Sequence, residues 1–333
     1  PITVDGNVAV PGMGLDEKER GHGAVEISLD YGGGITTLVG PGSVAVPGTL
    51  AAMEDAWQHY GKAPWQAIFE PTIRACRDGF PVSAACRYYL GYSGDIIFGR
   101  SEDGYRAVHR DDGTLVDAGD TVVVPHLADT LDAIAREGGR IFYEGDIARA
   151  IANHCRGGDG MLTREDLASY RAVERAPLVN AIGDWQLATN PPPAVGGSML
   201  TAMLLACAEL DIERWGTGAL AHLINAQRAC LDFRQRHLDL ADEVGPEAAR
   251  LVESARDGSL LARWTSASTV HTSVVDDSGN GCAITASSGY GSGEMPPGTG
   301  LWLNNCLGEI ELNRRGLDAG PPGVRLPSNM APS

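Results

Sequence analysis

Helical spacing of apolar positions runs through the middle of the chain, and β-branched runs mark its flanks. The opening 46 residues are Gly-rich and read as loops and strands, with Gly32-Gly33-Gly34 leading into Ile35-Thr36-Thr37-Leu38-Val39. Pro47-Gly48-Thr49 then precedes a helix over 50–57, with Gly61 as its stop. Residues 66–77 form a second helical stretch, expected to break or kink at Pro71 and to end at Asp78-Gly79. Further helices are predicted over 127–136, stopped at Gly138-Gly139, and over 147–154, stopped at Gly157-Gly158. Thr163-Arg164-Glu165-Asp166 has a hydroxyl with a carboxylate three residues on, the spacing that opens a short helix. Residues 198–210 and 219–240 carry the last helical patterns. After Trp264 the character changes. Val270–Val275 is β-branched, 276–280 is turn chemistry, and 282–285 is β again, which predicts a hairpin. Helices followed by a β-rich tail predict mixed α and β layers with an antiparallel sheet.

Composition narrows the class. The 333 residues carry 26 Lys+Arg against 43 Asp+Glu, a formal charge of −17, with 43% hydrophobic positions. This reads as a soluble globular protein and argues against nucleic acid or an anionic membrane as partner. The longest apolar stretch, 199–207, is far short of a bilayer span. The compartment stays open between cytoplasm and periplasm or exterior. The chain starts at Pro1 and stops at Ser333 with no element to close a domain, so it reads as a piece of a longer protein. Seven cysteines, with no C-x-x-C pair and several inside apolar runs, are expected to be buried free thiols.

Most chemical motifs fail. There is no phosphate loop, no H-E-x-x-H and no dinucleotide glycine fingerprint. Gly91-Tyr92-Ser93-Gly94 misses the nucleophile elbow by one position, and His154-Cys155 lacks further ligands at zinc spacing. No metal or cofactor is expected. What remains is Ser266-Ala267-Ser268-Thr269, small hydroxyl residues standing directly before the predicted hairpin. Alone this is weak, since β-branched residues simply favour strands.

The segment from Thr269 onward resembles the γ-glutamyltransferase family of N-terminal nucleophile hydrolases. That family shows T-T-H-x-S-V-V-D-x-x-G-N, and here Thr269, His271, Ser273, Val274, Val275, Asp276, Gly279 and Asn280 match. Other stretches agree in order: Val46-Pro47-Gly48-Thr49; Tyr60-Gly61-Lys62 through Trp65; Gly79-Phe80-Pro81-Val82-Ser83; Phe142 to Ala148; Gly160 to Leu167; Pro191 to Gly197; and Gly298 to Asn305. The resemblance implies an α+β, four-layer αββα sandwich of the N-terminal nucleophile hydrolase type, here apparently truncated at both ends. It implies a large-subunit region over 1–268 and a small-subunit region over 269–333, separated by autocatalytic cleavage between Ser268 and Thr269. The freed amine of Thr269 would then serve as base for its own hydroxyl, the nucleophile.

Carried over residue by residue, the resemblance makes Ser287 the second hydroxyl that activates the nucleophile, where threonine is usual. Glu309 stands where an Asp holds the substrate's α-amino group. Ser328 and Asn329 stand where two serines contact its α-carboxylate. Asn7 replaces the arginine that clamps the γ-glutamyl carboxylate; a neutral amide cannot supply that charge, which points to a different acyl group. The loop after Ser287 is about two residues shorter than the family's, and the family's oxyanion glycine pair falls beyond residue 333. The leading expectation is an autoprocessed threonine hydrolase or acyltransferase. It would cleave a γ-glutamyl or related small-molecule amide and pass the acyl group to water or an amine. A same-family acylase with a substrate lacking the amino-acid head is the second reading, favoured by Asn7; a non-catalytic or truncated homologue is the third.

Overall fold

A computed structural model describes residues 1–31, 33–208, 216–260 and 270–327. The expectations that fall on Ser268, Thr269, Ser328 and Asn329 lie outside the described residues. The strands are β1 (Thr3–Asp5), β2 (Val25–Leu29), β3 (Ile35–Val39), β4 (Phe80–Pro81), β5 (Thr121–Val122), β6 (Val173–Arg175), β7 (Leu178–Ile182), β8 (Trp185–Thr189), β9 (Val270–Val275) and β10 (Gly281–Ala286). Among the described residues they pair two at a time: β1 with β6, β2 with β3, β4 with β5, β7 with β8 and β9 with β10. The helices are α1 (Thr49–Tyr60), α2 (Trp65–Asp78), α3 (Ala84–Ser93), α4 (Glu102–Val108), α5 (Leu127–Glu137), α6 (Arg140–Glu144), α7 (Asp146–Gly157), α8 (Arg164–Ser169), α9 (Val195–Cys207), α10 (Thr217–Phe233) and α11 (Val244–Arg256).

The chain divides into two compact units, a larger one of Gly6–Val173 with Ser288–Arg325 and a smaller one of Pro1–Asp5, Glu174–Ser287 and Leu326–Ser333. In the larger unit, α7 buries Ile147, Ala148, Ile151, Ala152 and Cys155, a single helical stripe, against Val44, Val46, Leu162 and Leu167. The capping box at Thr163 and Asp166 forms as predicted, and the Asp166 carboxylate also accepts the amides of Gly12 and Met13 at 2.8 and 2.9 Å. In the smaller unit, α9, α10 and α11 bury Met199, Ala202, Cys230, Leu251 and Ala255 together.

Several expectations are corrected. Of the break or kink expected at Pro71, the break does not occur: α2 continues through it, and the lost amide bond is offset because Ile73 and Cys76 are buried and α2 packs on α5, with Trp65 Nε1 donating to Ile134 O at 3.1 Å. α9 starts at Val195, earlier than predicted, and takes Gly196-Gly197 into its first turn; a side-chain carbon on Gly197 would stand 2.1 Å from Asn190 O. The 219–240 pattern splits into α10 and a π-helical turn over Arg234–Leu238, where Arg234 and Asp239 form a buried ion pair at 2.8 Å. All seven cysteines are free, but only Cys76, Cys155 and Cys230 are buried; Cys207 and Cys306 are half-buried, and Cys86 and Cys282 are exposed.

The Val46-Pro47-Gly48-Thr49 stretch is a seat for two tyrosines. Tyr143 Oη donates to Pro47 O at 3.1 Å and accepts from Ala51 N at 3.2 Å, and its ring stacks on Tyr170. Tyr170 Oη donates to Asn7 O at 2.5 Å. A side-chain carbon on Gly48 would stand 1.7 Å from that hydroxyl and 2.4 Å from Gly6 O. Gly48→Ala is therefore expected to cost about 2 kcal/mol of folding stability by overpacking, read from urea denaturation. Gly218→Ala, which adds its carbon to open space in α10, is the control and lowers nothing.

Candidate active site

The predicted hairpin forms. β9 and β10 pair antiparallel from Gly281↔Val275 to Ala286↔Val270. Asp276 builds its turn: the carboxylate accepts the amides of Ser278 and Asn280 at 2.9 and 2.8 Å and the Asn280 side chain at 2.9 Å, while Gly279 takes a φ of +79°. Those bonds, with Asn280's side chain first, hold the Asp276 carboxyl below its ordinary range. The D-x-x-G-N part of the signature is thus turn architecture. Across the ladder His271 bridges two hydroxyls, Thr285 Oγ1 at 2.8 Å and Ser273 Oγ at 2.7 Å. Ser287 is exposed and follows β10 directly, at the end of the hairpin where Val270 begins β9.

In the larger unit the N-N pair is buried scaffolding. Asn304 exchanges bonds with the main chain of Ala45, Oδ1 accepting at 3.0 Å and Nδ2 donating at 2.9 Å. Asn305 is fully buried; its Oδ1 accepts Gly291 N at 3.1 Å and its Nδ2 reaches Thr37 Oγ1 and Leu38 O at 3.1 Å each. Gly308 presses on the same strand: Leu38 N and Thr37 Oγ1 both donate to Gly308 O at 2.9 Å, and a side-chain carbon on Gly308 would stand 2.1 Å from Leu38 O. This contact delivers Glu309 to its place. Burial, and then the neighbouring Glu311, push the Glu309 carboxyl up to about 8. Burial and a hydrogen bond with Glu311 raise Tyr290, and burial pushes Tyr89 up to about 12. Burial, and then Glu309, raise the Cys306 thiol.

Asn7 lies in the larger unit, its Oδ1 accepting Val8 N at 2.9 Å and its carbonyl held by Tyr170. Ser287 belongs to the smaller unit, Asn7 and Glu309 to the larger. The two rejected motifs have structural partners. Ser93 is buried in α3 with Oγ donating to Tyr89 O at 2.7 Å, and His154 Nε2 meets Glu294 Oε2 at 2.7 Å beside the buried Cys155. Gly289, Tyr290 and Glu311, which crowd Glu309, were not singled out from sequence. The signal available was the acid two residues after Glu309 together with the Gly-Tyr-Gly of the shortened loop. Among the described residues no helix is long and apolar enough to cross a membrane.

This arrangement has the fold of the N-terminal nucleophile hydrolases. The structure is similar to a cephalosporin acylase from Bacillus halodurans, with a TM-score of 0.76 at 24% identity over 98% of this chain and 62% of that one. It is also similar to the γ-glutamyltranspeptidase of Helicobacter pylori, with a TM-score of 0.59 at 21% identity over 73% of this chain and 80% of that one. The family model for gamma-glutamyltranspeptidase matches residues 31–333, and the chain belongs to that family. The glutathione hydrolase proenzyme of Escherichia coli (strain K12) is 30% identical over 322 residues, 86% of this chain and 55% of the relative. The acylase ACY 1 proenzyme of Pseudomonas sp. (strain SE83) is 28% identical over 89% of this chain and 56% of the relative. The chain spans about half the length of the curated relatives it matches.

The Glu309 carboxyl gives a pH signature with a definite sign. Below the ordinary glutamate value of 4.5 it is neutral in both folded and unfolded chains. Between there and about 8 the unfolded chain sheds its proton while the folded chain keeps it, so this residue's contribution to stability falls as pH rises through that window. Urea midpoints taken at pH 5 and pH 8 should show that fall, and Glu309→Gln should remove the Glu309 share of it. Asn305→Ala, which takes away the acceptor of the Gly291 amide and a donor to the Leu38 carbonyl, is expected to cost about 3 kcal/mol in the same assay.

Proposed function

We propose that this chain carries the catalytic centre of an autoprocessed threonine hydrolase or acyltransferase, with Thr269 as nucleophile. The observation that carries the reading is the register of the hairpin. The ladder closes on Val270 opposite Ala286, so Ser287 follows at the end where Thr269 precedes Val270 in sequence. A threonine hydroxyl is a poor nucleophile until a base stands beside it. In the proposed maturation the Thr269 hydroxyl attacks the Ser268 carbonyl, the amide becomes an ester, and water opens the ester. Residues 1–268 and 269–333 become two chains, and Thr269 gains a free α-amine as its base. The hydroxyl of Ser287 orients that of Thr269. Thr269 then attacks a small-molecule amide, forms an acyl-enzyme and yields the acyl group to water or an amine. Glu309, Ser328, Asn329 and Asn7 would contact the substrate.

Two observations favour an acylase form of this chemistry over γ-glutamyl cleavage. Asn7 brings a neutral amide where the family resemblance calls for a guanidinium, and Glu309 holds its proton up to about pH 8. A substrate with an α-ammonium group would have to displace that proton, so its binding should strengthen as pH rises toward 8. A neutral N-acyl substrate should show no such dependence.

Autocleavage is the test. Intact mass after prolonged incubation should show pieces of about 28 and 7 kDa by length, the smaller beginning at Thr269, and Thr269→Ala should leave one chain. A single uncut chain of unaltered sequence would count against the reading. Once cleavage is seen, hydrolysis of a γ-glutamyl anilide compared with simple N-acyl amides separates the two substrate classes.

A further inference from the structure

We infer that Gly289 is the positioning residue for Glu309: the Glu309 carboxyl group occupies the space that a side chain at position 289 would take. Gly289 has a φ of +66°, and a side-chain carbon built on it would stand 2.7 Å from both Cδ and Oε2 of Glu309 and 2.3 Å from Asn305 Oδ1. The Asn305 amide cannot move aside, because it already accepts Gly291 N and donates to Thr37 and Leu38. Nor can the Glu309 main chain, which follows the Gly308 contact on Leu38 and whose carbonyl accepts the amides of Leu312 and Asn313 at 2.8 and 2.7 Å. A larger residue at 289 thus forces the loop main chain to give against the pinned Asn305 oxygen, and of the two side chains it meets only the Glu309 carboxyl is free to swing aside.

Two features of this sequence then become one. A glutamate reaches one methylene further than an aspartate, and the shortened 288–293 loop supplies the room through Gly289. The longer acid and the missing side chain are coupled. The groups that face the carboxyl are Glu311, Tyr290, Tyr89 and the Cys306 thiol, so pushing it outward removes it from a crowded, desolvated place. The importance of this for ligand recognition rests on the proposed reading of Glu309; the geometry does not.

A double-mutant cycle of Gly289→Ala and Glu309→Asp tests it. Backbone strain at positive φ and the contact with Asn305 Oδ1 are common to both backgrounds and cancel, leaving the collision with the Glu309 carboxyl. Gly289→Ala should lower the folding equilibrium constant at least about tenfold more with Glu at 309 than with Asp there. In a carbon-detected titration of the intact protein, assigned through Glu309→Gln, the Glu309 midpoint should fall by at least about one unit in Gly289→Ala. Should that variant not fold, Gly289→Asn tolerates positive φ better and keeps the collision. Additive effects on stability, or a midpoint that stays in place, would overturn the inference. Neither readout needs turnover or cleavage, so failure of the hydrolase reading would leave both measurements interpretable, and failure here would leave autocleavage untouched.

Discussion

The Asn305 side chain holds three pieces of the larger unit in one register. Its oxygen takes an amide from the loop at Gly291, and its nitrogen gives to Thr37 and Leu38 on β3. Of these partners the buried Gly291 amide depends on Asn305, at a cost of about 1–3 kcal/mol if left unpaired, while the Thr37 hydroxyl keeps its bond to Gly308 O. An amide suits this place because it donates and accepts at once, and the carboxylate of equal size could only accept. Everything near Glu309 depends on that clamp. It fixes the loop carrying Gly289 and Tyr290 on one side and, through the adjoining Gly308 contact on Leu38, the main chain that presents Glu309 on the other.

Within that frame the charge balance is unusual. The chain carries a formal −17, yet the forces on Glu309 are burial and a second carboxyl, so the proton serves as its counterion. A carboxyl that is neutral at pH 7 offers a hydroxyl donor as well as an acceptor. Position 7 moves the same way, from an expected cation to an amide. If Glu309 and Asn7 contact the substrate as proposed, both would favour recognition by hydrogen bonds over recognition by ion pairs, which is the physical ground for proposing an acylase form of the chemistry.

The hairpin, the capping box at Thr163 and the glycine stops at Gly61 and Gly138 were legible because each depends on contacts within a few residues of itself. The helix through Pro71 and the early start of α9 were not: packing on α5 holds α2 together across the proline, and a glycine pair carries little helical signal of its own. The helix at 84–93 was missed although Ser83 caps it, with Cys86 N donating to Ser83 Oγ at 3.1 Å; the tyrosine-rich run that follows has little local helical signal. Of the candidate site residues, Glu309 and Ser287 could be picked out only as positions in a motif, and their roles are those proposed. The surroundings of Glu309 were not, since Glu311, Tyr290 and Gly289 act on it through space and only the fold brings them together.

Much of what makes this sequence resemble its family turns out to be scaffold: Gly48 seats two tyrosines, Gly197 admits a carbonyl, Asp276 ties a turn, and the N-N pair clamps a strand. Scaffold of this kind leaves the chemistry free to drift. Residue 7 is held through its carbonyl by Tyr170, and Ala9 beyond it pairs with Val46 by main-chain bonds at 3.1 and 2.9 Å. Those contacts run through the main chain; an arginine at 7 would give up the Asn7 Oδ1 bond to the Val8 amide and keep the backbone's place. Glu309 is different, because its carboxyl shares space with the loop that faces it. Change at position 7 can therefore occur alone, whereas change at 309 has to be matched at 289, and the pair Glu309 with Gly289 is what such a match looks like.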